Sequence, residues 1–367
     1  MSEAPHILIV GAGPVGLAAA VELHRRGFSF RIIDRSAGPR TQSRALAVQP
    51  TTLTMMEPSG LTERFLEAGN KIRRMKIYAE DSQLTSLELS NLGHRYSFLL
   101  SLPQSQTEHL FIDWLAERGI AVEWNCSLTS LNIANGTAQV ELLHEGRTHN
   151  ESFGLVLGAD GSRSAVREAA GIGFAGDRME EEFSLIDVRP PGGVDPHEAI
   201  ARITEHGILG AIPLDEKTIR YVADGPDIEA RLPEDARGGD TIWQSTFHIS
   251  YHVAETFAKP PVYLAGDAAH IHSPVGGRGM NLGIEDACWF AWLLEQDRLD
   301  EYSATRKEAA EGVVGLTRGL TDTITSRNPF VRFAFKSLLR VAFSLAPVQK
   351  MALRRLTGAG TAPAPWL

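Results

Sequence analysis

The chain has 367 residues, 43% of them hydrophobic, with 34 glycines and 19 prolines, enough for one large domain or two interleaved ones around a substantial core. Its two cysteines, Cys126 and Cys288, share no metal-ligand spacing and fit a reducing compartment; with no signal peptide ahead of the first apolar run, the expected location is cytoplasmic. The net charge of −9 is uneven: from Arg318 onward eight Lys/Arg stand against one acid, so that tail carries +7 and the remainder −16, which makes the body a poor partner for nucleic acid.

His6 to Val10 reads as a short buried strand, Gly11-Ala12-Gly13-Pro14-Val15-Gly16 follows, and Leu17 to Arg25 continues with helical periodicity. In that context the first glycine permits a tight turn, the second lets backbone approach a pyrophosphate, and the third allows close helix–strand contact. Free amides at the helix start face the negative charge. The alternative is an ordinary strand–turn–helix, but a second strand, Phe30 to Ile33, ends at Asp34, 23 residues after Gly11, where a carboxylate can accept both hydroxyls of an adenosine ribose. The apolar stretch Ile7 to Ala20 is broken by glycines and a proline and is too short to span a membrane.

After about residue 70 the texture changes to short strand-like runs around polar turns, including Met75 to Ala79 and Tyr96 to Leu100. Gln104 to Arg118 is helical again, and Ala121 to Trp124 is a strand that would carry the first sheet onward. Leu128 to Asn150 is a small antiparallel excursion with turn signals at Asn135-Gly136 and Glu145-Gly146. Phe153 to Leu157 is a core strand ending in Gly158-Ala159-Asp160-Gly161-Ser162, followed by a polar helix start at Arg163 to Ala170. Strand runs then dominate at Leu185 to Arg189, Ile208 to Leu214, Ile219 to Ala223 and Ile242 to Ile249, with a loop and short helix in the acidic Pro226 to Asp240 stretch. Two insertions thus form a single antiparallel sheet facing the first, and the cleft between sheets suits a small apolar ligand. The uncharged run Gly207 to Leu214 is expected to wall it.

Pro261 to Leu264 restores a buried strand, which ends in Gly266-Asp267, where a carboxylate can bond a chain of sugar-like hydroxyls. Pro274-Val275-Gly276-Gly277-Arg278-Gly279-Met280-Asn281 then leads into a long helix over Met280 to Gln296. Its amides and helix field can stabilise negative charge on a planar ring, beside which Gly276, Gly277 and Gly279 must be small.

These three motifs, Gly11-x-Gly13-x-x-Gly16, Gly158-Ala159-Asp160-Gly161 and Gly266-Asp267 with its extension to Asn281, resemble those of the class A FAD-dependent aromatic hydroxylases, the single-component flavoprotein monooxygenases. The resemblance runs from residue 6 to about 295. It implies an α/β fold: a Rossmann-like FAD-binding domain, an interleaved antiparallel-sheet substrate domain and C-terminal helices. The FAD-binding domain is assigned residues 1–70, 103–180 and 260–300, the substrate-binding domain 71–102 and 181–259, a helical region 301–357 and a flexible end 358–367. The thioredoxin-like third domain of the larger phenol-hydroxylase relatives is not expected.

The resemblance also implies site residues. Gly11, Gly13, Pro14, Gly16, Asp34, Arg35, Arg44, Gln104, Leu128, Asp160, Gly266, Asp267, Pro274, Gly277, Gly279, Met280 and Asn281 are expected at the cofactor. Arg44 is similar to the arginine that accompanies flavin movement, Gln104 to the glutamine at the ribityl region, and Asp160 belongs to the cofactor cleft without donating a proton. Arg278 stands where many relatives carry glutamine, and either adds positive charge at the substrate mouth or points to solvent. Arg44 and Pro274 are also expected to be catalytic, as are Tyr221 and His248, favoured over His206, Tyr251 and His252 as groups able to deprotonate a phenol. Strand alternation leaves open which of these face inward.

The implied activity is hydroxylation of an aromatic or polyketide-like substrate with NADPH or NADH and molecular oxygen through a C4a-hydroperoxyflavin. Alternatives are inactivation of a tetracycline-like antibiotic, an FAD-dependent reductase without oxygen insertion, and a non-enzymatic FAD protein; a halogenase is disfavoured because no Trp-x-Trp-x-Ile-Pro motif occurs. No metal is expected, since His270 and His272 lack a third ligand; backbone bonds should hold His270, while His272 borders the pocket. Trp243 suits either core packing or a substrate platform. In the basic tail, Arg332, Lys336 and Arg340 oppose an apolar face from Val331 to Phe343, interrupted by Pro347, with a further helical piece at Gln349 to Leu356. That tail can cover the site, pair with a second subunit or lie on an anionic membrane; cover is favoured, membrane contact least, and the molecule is expected to be a monomer or homodimer.

Overall fold

A computed structural model describes residues 6–41, 45–204, 207–273, 276–324, 346–358 and 364–367. Its first layer is a five-stranded sheet in the order Ala258–Lys259, Val262–Leu264, Leu155–Gly158, Ile7–Val10, Phe30–Ile33, parallel except for the hairpin at the first edge. Three of the four parallel strands are buried along their whole length, as expected where both faces are covered. The Pro14–Arg25, Gln104–Ala116 and Gly279–Glu295 helices, the first packed against the other two, supply the covering together with strands at Cys126–Ala134 and Thr137–His144, and Leu17, Phe111, Leu282, Leu131 and Val140 join Ile7, Leu8, Ile9 and Leu157 in one core.

Register puts the motifs together. Val10 pairs with both Ile33 and Gly158, and Gly158 pairs with Leu264, so the four parallel strands end level with one another. Gly11, Asp34, Asp160 and Gly266-Asp267 therefore lie along the carboxyl edge of one sheet, where open α/β sheets bind their ligands.

The two expected insertions do merge. An eight-stranded sheet runs His270–Ile271, Asp240–Ala254, Phe174–Arg189, Ile219–Asp224, Gly207–Pro213, Glu198–Thr204, Arg74–Ala79, Ser82–Glu88, antiparallel except where Glu198–Thr204 meets Arg74–Ala79. The acidic stretch holds two short helices, Ile228–Arg231 and Glu234–Arg237. In the small excursion, strands Cys126–Ala134, Thr137–His144 and Arg147–Phe153 turn at Asn135-Gly136 and Glu145-Gly146, all four residues with positive φ, the backbone that tight hairpins need.

Several expectations are corrected. Residues 121–124 carry the parallel sheet onward by a single parallel bridge, Ile33 to Glu123, rather than by a strand, before Asn125, at φ 54°, turns the chain away. The strand foreseen at Leu185 begins at Phe174, hidden in the sequence by its charged residues. The last residues, expected to be free, are docked at 364–367: Ala364 is buried, and the Trp366 ring lies 5.2 Å from Trp289 and 5.1 Å from Trp292. Pro347 sits in the first turn of an Ala346–Leu356 helix, a position that lacks an intrahelical N–H partner anyway. The tail helix expected over 331–343 lies outside the described residues. Among the described residues, no helix is long and apolar enough to cross a membrane.

Candidate functional site

At the front turn, two glycines are demanded by the protein and one by empty space. A Cβ on Gly11, at φ +105°, would lie 2.4 Å from the Ala159 carbonyl oxygen, and one on Gly16 would lie 1.9 Å from that of Gly11. A Cβ on Gly13 would meet nothing within 4 Å. Gly13 caps the helix without a side-chain hydrogen bond, and Pro14 has no N–H, so the Val15 and Gly16 amides open toward that space. Asp34 accepts hydrogen bonds from the Ala12 amide (2.7 Å) and the Ser36 amide (2.8 Å), which fixes its carboxylate and leaves lone pairs for hydroxyl donors. Arg35 is exposed beside it, and Leu128 is buried in the Cys126–Ala134 strand.

Gln104 opens its helix, its backbone amide bonded to the Ala45 carbonyl at 3.0 Å and its side-chain amide to Glu108 at 2.7 Å. Burial pushes the Glu108 carboxyl above the usual carboxylate range, although Gln104 opposes this. Asp160 accepts from the Ser164 hydroxyl and from the Val166 amide (3.3 Å), so it shapes the turn into the short helix that follows; burial raises its carboxyl too. Arg167, unnoticed in the sequence, clips this turn to the late motif: its guanidinium donates to the Ala268 carbonyl and the Ser162 carbonyl, each at 3.0 Å, and lies 3.8 Å over the Phe174 ring. The Ser164-x-x-Arg167 spacing after a capping serine was the available signal.

The late motif is built on a buried charge network. Asp286 accepts from the Gly266 amide (3.0 Å), the His270 Nε2 (2.6 Å) and the Arg306 Nε (2.7 Å). Burial opposes its ionisation, but Arg306 and His270 prevail and hold it below the usual carboxylate range. His270 is thus held by a side chain, correcting the backbone bonds expected for it. Gly266, at φ +60°, and Gly283 both press on Val15, packing the two cofactor-facing helices together. Asp267 is accessible to solvent yet ringed by protein, which raises its carboxyl, with His270 and Arg40 pulling the other way; that combination describes a side chain in a narrow cleft.

Gly279–Glu295 begins without a side-chain cap, leaving the Gly279, Met280 and Asn281 amides unbonded within the helix. Gly276 and Gly277 have φ of 86° and 61°. The Asn281 side chain is fully used inside the protein: it accepts from the Gln49 amide and the Thr52 hydroxyl and donates to the Ala47 and Gly277 carbonyls, all at 2.8 Å. What Asn281 can offer a ring is its backbone. His272 donates from Nδ1 to the Ser273 carbonyl at 2.8 Å, and its buried Nε2 has no partner among the described residues. Arg278 is buried rather than pointing to solvent; its Nη1 reaches the Arg355 carbonyl at 3.3 Å, while Nε and Nη2 have no partner among the described residues. Arg44 and Pro274 lie outside the described residues, as does His206.

The eight-stranded sheet has two unlike faces. Tyr221 pairs with Ile186 and Ala211 and packs with them beneath Ile228 and Ala236 of the short helices. Burial there pushes its phenol up to about 12. His248 pairs with Glu182 on that same side and is exposed. The opposite face carries Phe183, Val222, Phe247, Ile249 and Tyr251 against Val314 of the Tyr302–Ile324 helix, whose Thr321 hydroxyl bonds Ser273 at 2.9 Å. This is the face on the side of the late loop, so the inward expectation for Tyr221 and His248 is corrected: alternation turns both away from it. The half-exposed Ile208, Gly210 and Ile212 lie on the loop side, next to Val222 and to a buried Asp187–Arg220 pair bonded at 2.7 and 2.8 Å. Trp243 is opposite Asp187, 5.0 Å from the Arg220 guanidinium.

A flavin dinucleotide fits this geometry: open space at Gly13, uncapped helix starts at both ends, and Asp34 and Asp267 between them. The family model described as "FAD binding domain" matches residues 5–231 and 226–317. The chain is 31% identical over 382 residues to a 6-methylpretetramide 4-monooxygenase from Streptomyces rimosus, covering 97% of this chain and 68% of the relative. Its fold is similar to that of p-nitrophenol 4-monooxygenase from Pseudomonas putida DLL-E4, with a TM-score of 0.86 at 21% identity over 96% of this chain and 98% of that one. An anhydrotetracycline hydroxylase from Streptomyces rimosus gives a TM-score of 0.80 at 27% identity, covering 98% of this chain and 77% of that one.

Proposed function

The chain belongs to the class A FAD-dependent aromatic hydroxylases and is an FAD-dependent monooxygenase, and from that premise we propose that it hydroxylates an apolar, polyketide-like aromatic with NADPH or NADH as electron donor and molecular oxygen as the source of the inserted atom. The observation that carries the substrate class is the half-exposed apolar run of Ile208, Gly210, Ile212, Val222 and Phe247, beside which Arg220 is buried and already bonded to Asp187 rather than left to receive a small dianionic acid. The relatives named for 6-methylpretetramide and anhydrotetracycline support the same size and polarity of substrate.

When bound, FAD supplies electron transfer from the nicotinamide and the activation of oxygen. The chain's own residues bind and orient. The Val15 and Gly16 amides receive the pyrophosphate, Asp34 the adenosine ribose, and Asp267 the ribityl chain. The Gly279, Met280 and Asn281 amides and the field of their helix would stabilise negative charge on the bound flavin. Gln104 serves the ribityl region, and the family resemblance assigns Arg44 to the pyrophosphate region and Arg44 and Pro274 to the catalytic set. His272 keeps its proton on Nδ1 and presents a neutral Nε2 lone pair beside the start of that helix. The apolar sheet face excludes water and positions the substrate.

The test is oxidation of NADPH and NADH across a panel of phenols and aromatic polyketides under labelled dioxygen. A substrate should accelerate nicotinamide oxidation and leave carrying one labelled oxygen atom. Nicotinamide oxidation that is indifferent to every panel member, with no label in any product, would overturn the proposal in favour of a reductase or binding role.

A further inference from the structure

We propose that Glu123, Cys126 and His144 form a binding site for a divalent transition metal such as zinc, beside the turn that carries Asp34 and separate from the reaction site. Cys126, the first residue of its strand, is directly opposite His144, the last residue of the neighbouring antiparallel strand. Opposed residues of such a pair carry their side chains on one face of the sheet. Glu123 comes up to the same point from the segment that bridges Ile33. One donor atom from each, a sulfur, an imidazole nitrogen and a carboxylate oxygen, all lie within 4.8 Å of one another.

Tetrahedral zinc, with bonds of about 2.0–2.3 Å, spaces its ligand atoms about 3.5 Å apart, so the three donors must close by about 1.3 Å at most to take it. A thiolate, an imidazole and a carboxylate select a borderline-soft ion over calcium or magnesium. Cys126 is buried while Glu123 and His144 are half-exposed, so the ion has a protein floor and an open fourth position for water.

The charges around the site accommodate the ion. Glu123 is bonded by both oxygens to Arg31, at 2.8 and 2.7 Å, and Arg31 also pairs with Glu151. Giving one Glu123 oxygen to the metal therefore leaves the guanidinium with a carboxylate partner. The Cys126 thiol loses its proton to solvent as the sulfur–metal bond forms. The ligands flank the turn that carries Asp34: the Cys126 amide bonds the Asp34 carbonyl at 2.9 Å, and the Asp34 amide bonds the Glu123 carbonyl at 3.0 Å.

FAD-loaded protein is titrated with Zn2+ by calorimetry and with Co2+ by difference absorption. One ion should bind per chain, Co2+ should produce a thiolate charge-transfer band, and Cys126→Ser should remove the band and weaken Zn2+ by about tenfold or more. His144→Ala should weaken Zn2+ by a similar factor with FAD retained, which keeps the test informative if the serine variant folds poorly. Cys288→Ser should change neither. Absence of saturable Zn2+ binding, absence of the Co2+ band, a band that survives in Cys126→Ser, or one lost in Cys288→Ser would overturn the proposal.

Discussion

Gly11 and Gly13, two residues apart, are small for different reasons. Gly11 is held against the Ala159 backbone, whereas Gly13 faces room that a ligand would fill. The same division between groups serving the fold and groups left for a ligand separates Asn281, whose side chain is saturated, from His272, whose Nε2 is not. Burial, with His270 and Arg278 nearby, lowers the His272 imidazole from 6.5 to about 4. Its folded value is below its unfolded one, so the unfolded chain takes up the proton first. This contribution is complete above the unfolded value near pH 6.5 and is lost as the pH falls toward 4, amounting to about 3 kcal/mol. Urea unfolding of FAD-free protein from about pH 7 to about pH 4 should show that loss, and His272→Gln should flatten it. Parallel curves for the two proteins would contradict the assignment. The glycines and Asp34 were legible in the sequence because each needs only its local strand–turn context. The environments of Arg278 and His272 were not, since they depend on segments remote in the chain, such as the carbonyl of Arg355.

The late helix is positioned by a network spread over three elements. Asp286 joins the helix to Gly266 after the Val262–Leu264 strand, to His270 and to Arg306 on the Tyr302–Ile324 helix. Asp286 and Arg306 are both buried. Removing one partner of such a pair strands the other charge and costs about 3–5 kcal/mol, while replacing both by apolar residues costs less. Urea unfolding should therefore find Asp286→Leu and Arg306→Met each more damaging than the double variant; additive losses would refute this coupling. Sequence reading found the helix and its glycine-rich approach but missed this anchor, because residues 20 apart on two helices meet only after packing. It likewise could not choose the inward face of the substrate sheet. Tyr221 and His248 had suitable chemistry, and strand register decided against them.

At the scale of the whole molecule, the parallel sheet ends level at Val10, Ile33, Gly158 and Leu264 and brings three distant motifs to one edge. The antiparallel sheet turns an apolar face toward the loop that precedes the late helix. The Ala346–Leu356 helix adds a third contribution: Leu353 is buried against Ile72, Leu87, Leu89 and Leu92, and Arg355 meets Arg278. A covering role for the basic tail therefore has a described anchor in this helix. On the proposed reading, the carboxyl edge grips one FAD through the space left at Gly13. FAD titration of wild-type protein and Gly13→Thr tests it most directly, because threonine is an acceptable helix cap and Gly13 has ordinary φ and ψ of −75° and −177°. Wild-type protein should take up one FAD per chain, and the variant should bind it about 100-fold more weakly, roughly 2.7 kcal/mol, with the stability of the FAD-free protein unchanged. Wild-type protein that takes up no FAD, or a threonine variant that binds it equally well, would refute the role of Gly13.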